Sequence, residues 1–329
     1  HSNNRTGWRG WAGILTPMGE FQPMAAGMRS PCGLGSNAAG DMFCVDQQGT
    51  WVPATPIYHL RKGAFFLNPE GIASQELPGS PLRLTAKVPE KLPYPEAVKA
   101  LPAMCPPAVW LPYNKMGRSG TDLALCPDTG KFGPFSGQLL VGEFTDAGVN
   151  RVFLEQVDGQ YQGASFPFLK GLASGVVRLL FAEDGSLLAG MTSRGWSSLG
   201  TKAYGLQRIR WTGRNPFAIQ EMRALHDGFE LRFTEPLDPA SARNPASYTL
   251  SRYTYWYSSA YGSEEIDTAP CTVTAVSLAP DGKTIRLRVE GLRELYVHEL
   301  HADGVRSATG QALGTPDAYY TLNRLPRPR

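Results

Sequence analysis

The sequence lacks long apolar runs, basic clusters and the motifs of common hydrolases. Its longest apolar run, residues 176–182, contains Arg178 and is far shorter than the roughly 18–20 residues that cross a bilayer. We therefore expect no transmembrane segment in this chain. The net charge of +3 comes from 32 basic and 29 acidic residues without a basic cluster, so we expect no nucleic-acid partner. Neither Gly-x-Ser-x-Gly nor His-Glu-x-x-His occurs, which argues against a hydrolase.

Cysteine is scarce and shows no metal-binding spacing. The five cysteines form neither Cys-x-x-Cys nor Cys-x-x-Cys-His, so neither a zinc site nor a c-type haem is encoded. Cys32 and Cys44 flank one hairpin turn, and Cys105 and Cys126 flank a loop. Either pair is a candidate disulfide in an oxidising compartment, and five free thiols are the alternative.

Glycine is abundant, and it marks an internal repeat. Residues 13–51 and 151–196 share an alternating strand, a Gly-x-x-Ser segment, a tight glycine turn and a final tryptophan, Trp51 or Trp196. The turn at Gly185 is also matched by Gly137, 48 residues earlier. Spacings of roughly 40–50 residues between units of short strands are typical of β-propeller blades. Chance similarity among glycine-bounded strands is the alternative.

The pattern of expected strands, prolines and turns along the chain predicts two domains. Residues 1–211 read as a propeller-like domain, interrupted at 52–108 by a proline-rich insertion that is too poor in backbone donors to be mostly central strand. Residues 212–324 contain six or seven short strands and the hairpin turn Ala279-Pro280-Asp281-Gly282, which predicts an immunoglobulin-type β-sandwich. We expect the proline-rich residues 325–329 to form a tail or the start of a linker.

Several blocks of the chain resemble a known family. They include Gly27-Met28-Arg29-Ser30-Pro31-Cys32-Gly33-Leu34-Gly35 and the ranges 46–53, 106–112, 132–139, 151–155, 205–208 and 229–248. In these blocks the chain resembles the C-terminal part of bacterial sorbosone/glucose dehydrogenase-like proteins. These are pyrroloquinoline quinone (PQQ)-type β-propellers followed by a bacterial Ig-like domain. The resemblance implies an all-β fold, with partial or remodelled propeller blades followed by an Ig-like β-sandwich.

The resemblance also implies chemistry, from which this sequence departs. It implies a sugar or alcohol dehydrogenase that uses PQQ and Ca²⁺ in the periplasm or outside the cell. The family's quinone chemistry uses a histidine base, but only His1 and His59 lie in the first 211 residues, and the histidine that relatives carry after the equivalent of Thr145 is missing. The propeller part is also too short for a complete six-bladed propeller.

Acidic and basic side chains supply the candidate site residues. Asp46, Glu143 and Asp146 lie at or just past the ends of expected inner strands, where three carboxylates can hold Ca²⁺; turn capping is the alternative. The arginine candidates for binding a cofactor are Arg29, Arg151 and Arg194, whose planar donor forks suit carboxylates and hydroxyls. Arginines that tie loops together are the alternative. His59 is the candidate general base, and a structural histidine is the alternative.

Aromatic residues supply the candidate partner surfaces. Trp51 and Trp196 are either sugar-stacking platforms or packing between blades. Tyr253, Tyr255 and Tyr257 alternate on one face of a strand that also carries Trp256. This run is either a docking surface for a partner or a strand buried against the propeller.

The missing histidines and the short propeller part favour one function, and the family resemblance favours another. We expect an extracytoplasmic, non-catalytic propeller and Ig-like module that binds or supports another protein subunit or a carbohydrate within a larger assembly. The alternative is a PQQ- and calcium-dependent sugar or alcohol dehydrogenase that forms a fragment of a longer chain.

Overall fold

The structure is a computed structural model that describes residues 7–328, and it is almost entirely β. Its strands are β1 (Trp11–Leu15), β2 (Phe21–Ala26), β3 (Gly33–Ser36), β4 (Met42–Val45), β5 (Thr55–His59), β6 (Ala64–Phe65), β7 (Leu92–Pro93), β8 (Val109–Leu111), β9 (Gly120–Leu125), β10 (Leu139–Glu143), β11 (Gly148–Val157), β12 (Gln160–Leu169), β13 (Val176–Phe181), β14 (Leu187–Thr192), β15 (Tyr204–Ile209), β16 (Ile219–Leu225), β17 (Gly228–Phe233), β18 (Thr249–Tyr257), β19 (Glu265–Leu278), β20 (Thr284–Glu290), β21 (Tyr296–His301) and β22 (Asp317–Leu322).

The helices are short. They are α1 (Tyr94–Ala100), α2 (Pro239–Ala242) and two 3₁₀ helices, Pro69–Glu76 and Pro245–Ser247. None of the helices within residues 7–328 has the length and apolarity to cross a membrane.

Fourteen of the first 15 strands form four blade-like, mainly antiparallel units, and the remaining strand, β7, pairs with β18. Sheet one is β1-β2-β6, in which β6 runs parallel to β2; sheet two is β3-β4-β5-β8, sheet three is β9-β10-β11-β12 and sheet four is β13-β14-β15. In each sheet the second strand begins two residues after a glycine with φ between 79° and 86°, a conformation that glycine adopts without steric cost. These glycines are Gly19, Gly40, Gly137 and Gly185. The predicted repeat therefore corresponds to real hairpins: each copy runs from a hairpin of one sheet into the first hairpin of the next.

The strand β9 of sheet three contacts both β3 of sheet two and β13 of sheet four. A Cβ added at Gly33 on β3 would lie 2.5 Å from the Cα of Asp122 on β9. On the other side of β9, Thr121 Oγ1 donates to Val176 O of β13 at 2.8 Å, and Asp122 Oδ2 accepts from Leu179 N at 2.8 Å. Glycine at this contact is required because any side chain would separate the two backbones. The loops at the ends of these strands are thereby brought to a common centre.

The strands after residue 212 form two linked sheets. The strand orders are β16-β17-β20-β19 and β18-β21-β22, and both belong to one hydrogen-bonded path. The 14-residue β19 joins the sheets, because its first half pairs with β18 and its second half pairs with β20. β22 also pairs with β12, so sheet three continues directly into the second of these sheets.

The aromatic run on β18 is buried, so its tyrosines do not form a docking surface. Tyr253, Tyr255 and Tyr257 are at most 2% exposed and belong to the core that they share with sheets one and two. Tyr257 Oη donates to Leu67 O at 2.6 Å. The alternation of the run was predicted correctly, but the tyrosine face points to the core because the segment around residue 67 covers it. Trp256 faces the other way and stays 37% exposed.

The proline-rich segment 52–108 contributes to the core as well. It carries β5, β6, β7 and α1, and Tyr94 and Ala97 of α1 are fully buried. All five cysteines are free thiols in the structure, and Cys44, Cys126 and Cys271 are buried.

Candidate functional site

A cleft of about 570 Å³, cleft one, opens where the loops of sheets two, three and four meet. It is formed by the segments that follow β2, β4, β10 and β14, the segment that precedes β9, and one residue from the loop after β18. Its charged and aromatic lining residues are Arg29, Tyr113, Arg118, Phe144, Arg194, Trp196 and Tyr261.

Arg29 is positioned by the buried carboxylate of Asp46. Asp46 Oδ2 accepts from Arg29 N at 2.7 Å, and Oδ1 accepts from Ser30 N at 2.7 Å and from Gln47 N at 2.8 Å. Burial raises the pKa of Asp46 to about 6, and the three backbone N–H groups and the Arg29 charge oppose that rise. Asp46 therefore fixes the turn that carries Arg29.

The Arg29 guanidinium lies over glycine and beside tyrosine. A Cβ at Gly49 would lie 1.9 Å from Arg29 Nε, so only glycine leaves room for this side chain. Arg29 Nη1 donates to Gln48 O at 3.2 Å, and its Cζ lies 5.2 Å from the centroid of the Tyr261 ring. These contacts hold the guanidinium at the cleft wall.

Glu143 holds Arg118 in the same way one sheet further on. Its carboxylate accepts from Arg118 N at 3.0 Å, from Ser119 N at 2.9 Å and from Thr145 N at 3.0 Å. Burial raises the pKa of Glu143, and the N–H groups of Arg118 and Ser119 oppose the rise. Arg118 Nε also lies 3.9 Å from Asp146 Oδ1.

These contacts account for the three carboxylates that were candidate calcium ligands. Asp46 and Glu143 direct their oxygens at backbone N–H groups, while Asp146 faces Arg118. Within residues 7–328 no group of three or more His, Cys, Asp or Glu side chains is arranged to hold a metal ion. The turn-capping alternative describes what Asp46 and Glu143 do, and the carboxylates do not fit a calcium site.

Arg151 lies outside cleft one, unlike Arg29 and Arg194. It is 3% exposed on β11, and its guanidinium donates to the carbonyls of Ile219 and Gln220 at 2.5 and 2.7 Å. It lies between the rings of Phe135 and Phe166, 4.2 and 4.1 Å from their centroids. Arg151 therefore ties sheet three to β16, as in the loop-tying alternative, and is not placed to bind a ligand of cleft one.

The two tryptophans of the repeat have different surroundings. Trp196 lines cleft one and is 65% exposed. Trp51 packs on Tyr257 with ring centroids 5.2 Å apart, and its backbone N–H donates to Ser258 O. Of these two tryptophans, Trp196 is the one whose ring can serve as a stacking platform in cleft one.

His59 also lies away from cleft one. Its ring stacks on Phe43 and meets the edge of Tyr161, with centroids 5.2 and 4.9 Å away. Burial lowers the pKa of His59, although Asp41, 3.9 Å away, opposes this. The histidine is packed among aromatic rings, which agrees with the structural alternative.

The sequence reasoning missed Arg118, Tyr113 and Tyr261. Arg118 had a signal, because Gly117-Arg118-Ser119 repeats the Arg-Ser pair of Gly27-Met28-Arg29-Ser30. Tyr261 comes from the other end of the chain, and no pattern in the sequence connects it to the repeat.

Comparison with known proteins identifies no family for the chain. No protein-family model matches it, and neither does any curated protein. Among solved structures it is similar to a putative oxidoreductase (glucose dehydrogenase) from Thermus thermophilus, with 15% identity, 56% of this chain and 46% of that chain covered, and a TM-score of 0.38. It is also similar to the PQQ-bound form of an aldose sugar dehydrogenase from Streptomyces coelicolor, with 16% identity and a TM-score of 0.29. That similarity covers 90% of this chain and 95% of the Streptomyces chain.

A third similarity is to the N-terminal part of the bacterial S-layer protein SbsC, with 15% identity and a TM-score of 0.24. That similarity covers 32% of this chain and 24% of the SbsC chain. The chain thus spans less than half the length of the Thermus protein. At these TM-scores the similarities carry no argument about function, which depends on the geometry of cleft one.

Proposed function

We propose that this protein binds an acidic glycan, one that contains uronic acid units, in cleft one and does not transform it. The observation that carries the proposal is the meeting of three arginines from three separate loops with three exposed aromatic rings in a cleft of about 570 Å³. That volume is within the range of small-molecule sites.

The arginines supply recognition of the carboxylate. Arg29, Arg118 and Arg194 line the same cleft, and a guanidinium fork can bind a carboxylate through two parallel hydrogen bonds. Asp46 and Glu143 hold the backbone at Arg29 and Arg118, so that little ordering of these two turns is needed when the ligand binds.

The aromatic rings and short polar side chains supply recognition of the sugar. Trp196 and Tyr261 are 65% and 63% exposed and offer ring faces to the apolar C–H face of a sugar. Ser30, Thr145 and Ser197 also line the cleft, and each hydroxyl both donates and accepts hydrogen bonds, as sugar hydroxyls do.

Calorimetric titration tests this function. Oligogalacturonates should bind, and their methyl esters, which lack the charge, should bind at least about tenfold more weakly. Replacing Arg118 or Arg194 by Gln should weaken binding of the acid form roughly tenfold or more, because a hydrogen bond to a charged group is lost. Arg210→Gln is the matched control, since Arg210 is an exposed arginine paired with Asp184 outside the cleft. Equal binding of acid and ester, or binding of neither, would refute the proposal.

A PQQ-dependent sugar or alcohol dehydrogenase is the second candidate. The same three arginines suit the carboxylates of the quinone, which would supply the oxidising centre when bound. The residues that would hold it are Arg29, Arg118 and Arg194, but the described part of the chain offers no fitting calcium ligands beside them, and His59 lies elsewhere. Addition of PQQ and Ca²⁺ followed by absorbance and dye-reduction assays with a sugar panel decides the case. Quinone binding with dye reduction would replace the glycan-binding proposal.

We also propose that the protein acts outside the cytoplasm beside another protein subunit. The β1-β2 hairpin exposes Ile14, Leu15 and Met18 to 55%, 70% and 87%, and exposed apolar clusters favour association. Fractionation of the source cells and cross-linking of the native protein test these two points. A cytoplasmic pool without cross-linked partners would contradict both.

A further inference from the structure

A second cleft of about 330 Å³, cleft two, borders the same loop as cleft one. This loop, residues 258–264, is called the partition loop here. Tyr261 lines cleft one, whereas Ala260 and Gly262, its neighbours on either side, line cleft two. Because consecutive Cα atoms are about 3.8 Å apart, Tyr261 in the wall of cleft one is that close to Ala260 and Gly262 in the wall of cleft two. The two clefts are therefore divided by the width of a single loop.

The partition loop is fixed in place by the turn between β4 and β5. Ser258 O accepts from Trp51 N at 3.1 Å, Gly262 N donates to Gly49 O at 3.0 Å, and Ser263 N donates to Pro53 O at 3.1 Å. The same turn carries Gln47 and Gln48 of cleft one. Three backbone hydrogen bonds thus fix the partition loop between the two clefts. Residues 259–261 of this loop are exposed, so the surface that joins the clefts is open to solvent.

Cleft two has the composition of a site for an uncharged sugar face. Trp256 is the exposed ring of a strand whose tyrosines are buried, and Ser263 Oγ accepts from its backbone N–H at 2.9 Å. The remaining side chains mix one cation, one anion and hydroxyls: Lys91, Glu264, Ser258 and Ser263. This mixture offers both donors and acceptors without a net charge, unlike the three arginines of cleft one.

We propose that cleft two is a second saccharide subsite and that one acidic oligosaccharide crosses the partition loop. In this arrangement a uronate unit lies against the arginines of cleft one while a later unit of the same chain stacks on Trp256. The inference rests on the proposed function and adds that the preferred ligand is an oligomer. Two linked contacts raise affinity because the second binding event is intramolecular.

A length series of oligogalacturonates tests the inference. Affinity should rise with length until both clefts are filled and then level off. Trp256→Ala should remove the gain, weakening long oligomers about five- to tenfold while leaving galacturonate itself unchanged. Trp256→Phe keeps a ring and should keep most of the gain. Trp211→Ala is the matched control, because Trp211 is 36% exposed and lies outside both clefts.

The outcomes separate the two proposals. If the monomer and short oligomers bind but affinity does not rise with length, or if Trp256→Ala weakens all lengths equally, the second subsite is refuted and the function of cleft one stands. If no acidic saccharide of any length binds, both proposals fail. Thermal unfolding of Trp256→Ala and Trp256→Phe shows whether a loss of binding is a loss of folding.

Discussion

Sheets two and three build their cleft loops alike, and sheet four builds its loop differently. In sheets two and three a buried carboxylate accepts the N–H groups of an Arg-Ser pair: Asp46 holds Arg29, and Glu143 holds Arg118. In sheet four the corresponding pair is Ala173-Ser174, and the neutral amide oxygen of Gln207 on β15 accepts from Ala173 N at 2.7 Å.

The comparison shows that a buried carboxylate and an arginine occur together in sheets two and three, and that both are absent from the matching positions of sheet four. Where a buried carboxylate fixes the backbone, the residue that it holds is an arginine, and the Arg29 charge lowers the pKa of Asp46 against the effect of burial. Where a neutral amide does this work, the residue held is alanine. Partial compensation of a buried charge by its neighbour fits this pairing. The carboxylates thus fix the backbone of the two turns, while the arginine side chains line cleft one.

Removal of the carboxylates should have the largest effect. Asp46→Ala leaves three backbone N–H groups without an acceptor, and we expect it to lower the free energy of unfolding by roughly 3–5 kcal/mol. Glu143→Ala should act in the same direction, because it also leaves several N–H groups unpaired. Urea denaturation measures both, with Glu183→Ala, an exposed carboxylate of the β13–β14 turn, as control. Unchanged stability in both variants would contradict the supporting role.

The pH dependence should distinguish sheet two from sheet four. The folded pKa of Asp46 is about 6 and the ordinary value is 3.8. Between these two pH values the folded protein keeps on Asp46 a proton that the unfolded chain has released. The stabilisation linked to this proton is complete below about pH 4 and is lost as pH rises through about 6. We expect this loss, up to roughly 3 kcal/mol, in the wild type and in Gln207→Ala.

Asp46→Asn should remove the part of this pH-dependent loss that Asp46 carries, because the amide does not titrate. Glu143 and Glu155, whose pKa values burial also raises, should keep the remainder. Urea denaturation between about pH 4 and pH 7 gives the comparison. An identical pH profile for Asp46→Asn and the wild type would show that Asp46 does not carry the effect.

Loss of the neutral amide should matter less. Gln207→Ala removes one uncharged hydrogen bond, and we expect a loss of about 1 kcal/mol in unfolding free energy. Binding of acidic glycans should stay within about twofold of the wild type, since no arginine depends on Gln207. A loss of binding as large as that of Arg118→Gln would remove the distinction between the sheets.

Calcium should have the smallest effect. Because Asp46 and Glu143 are engaged by backbone N–H groups, Ca²⁺ or a chelator should leave the melting temperature and glycan affinity unchanged. Differential scanning fluorimetry with Ca²⁺ and with EDTA measures this, and Mg²⁺ controls for ionic strength. A rise of several degrees with Ca²⁺ alone would show that the carboxylates bind the metal.

The sequence predicted the positions of these groups better than their roles. Glycine turns and alternation identified the hairpins, and Asp46 and Glu143 were expected at strand ends. Their role depends on which N–H groups the neighbouring loop presents, and this is decided by contacts between sheets. The burial of Tyr253, Tyr255 and Tyr257 depends in the same way on what covers β18, which alternation alone does not encode.

The most direct test of the account is a double-mutant cycle on Asp46 and Arg29, read out as affinity for oligogalacturonate. If Asp46 acts by holding Arg29, then Asp46→Asn and Arg29→Gln should each weaken binding, and the double variant should be no weaker than the weaker single variant. Asp46→Asn combined with Arg194→Gln should be additive, since Arg194 lies on a different loop. Additive losses for Asp46 and Arg29 would show that the carboxylate does not act through the arginine.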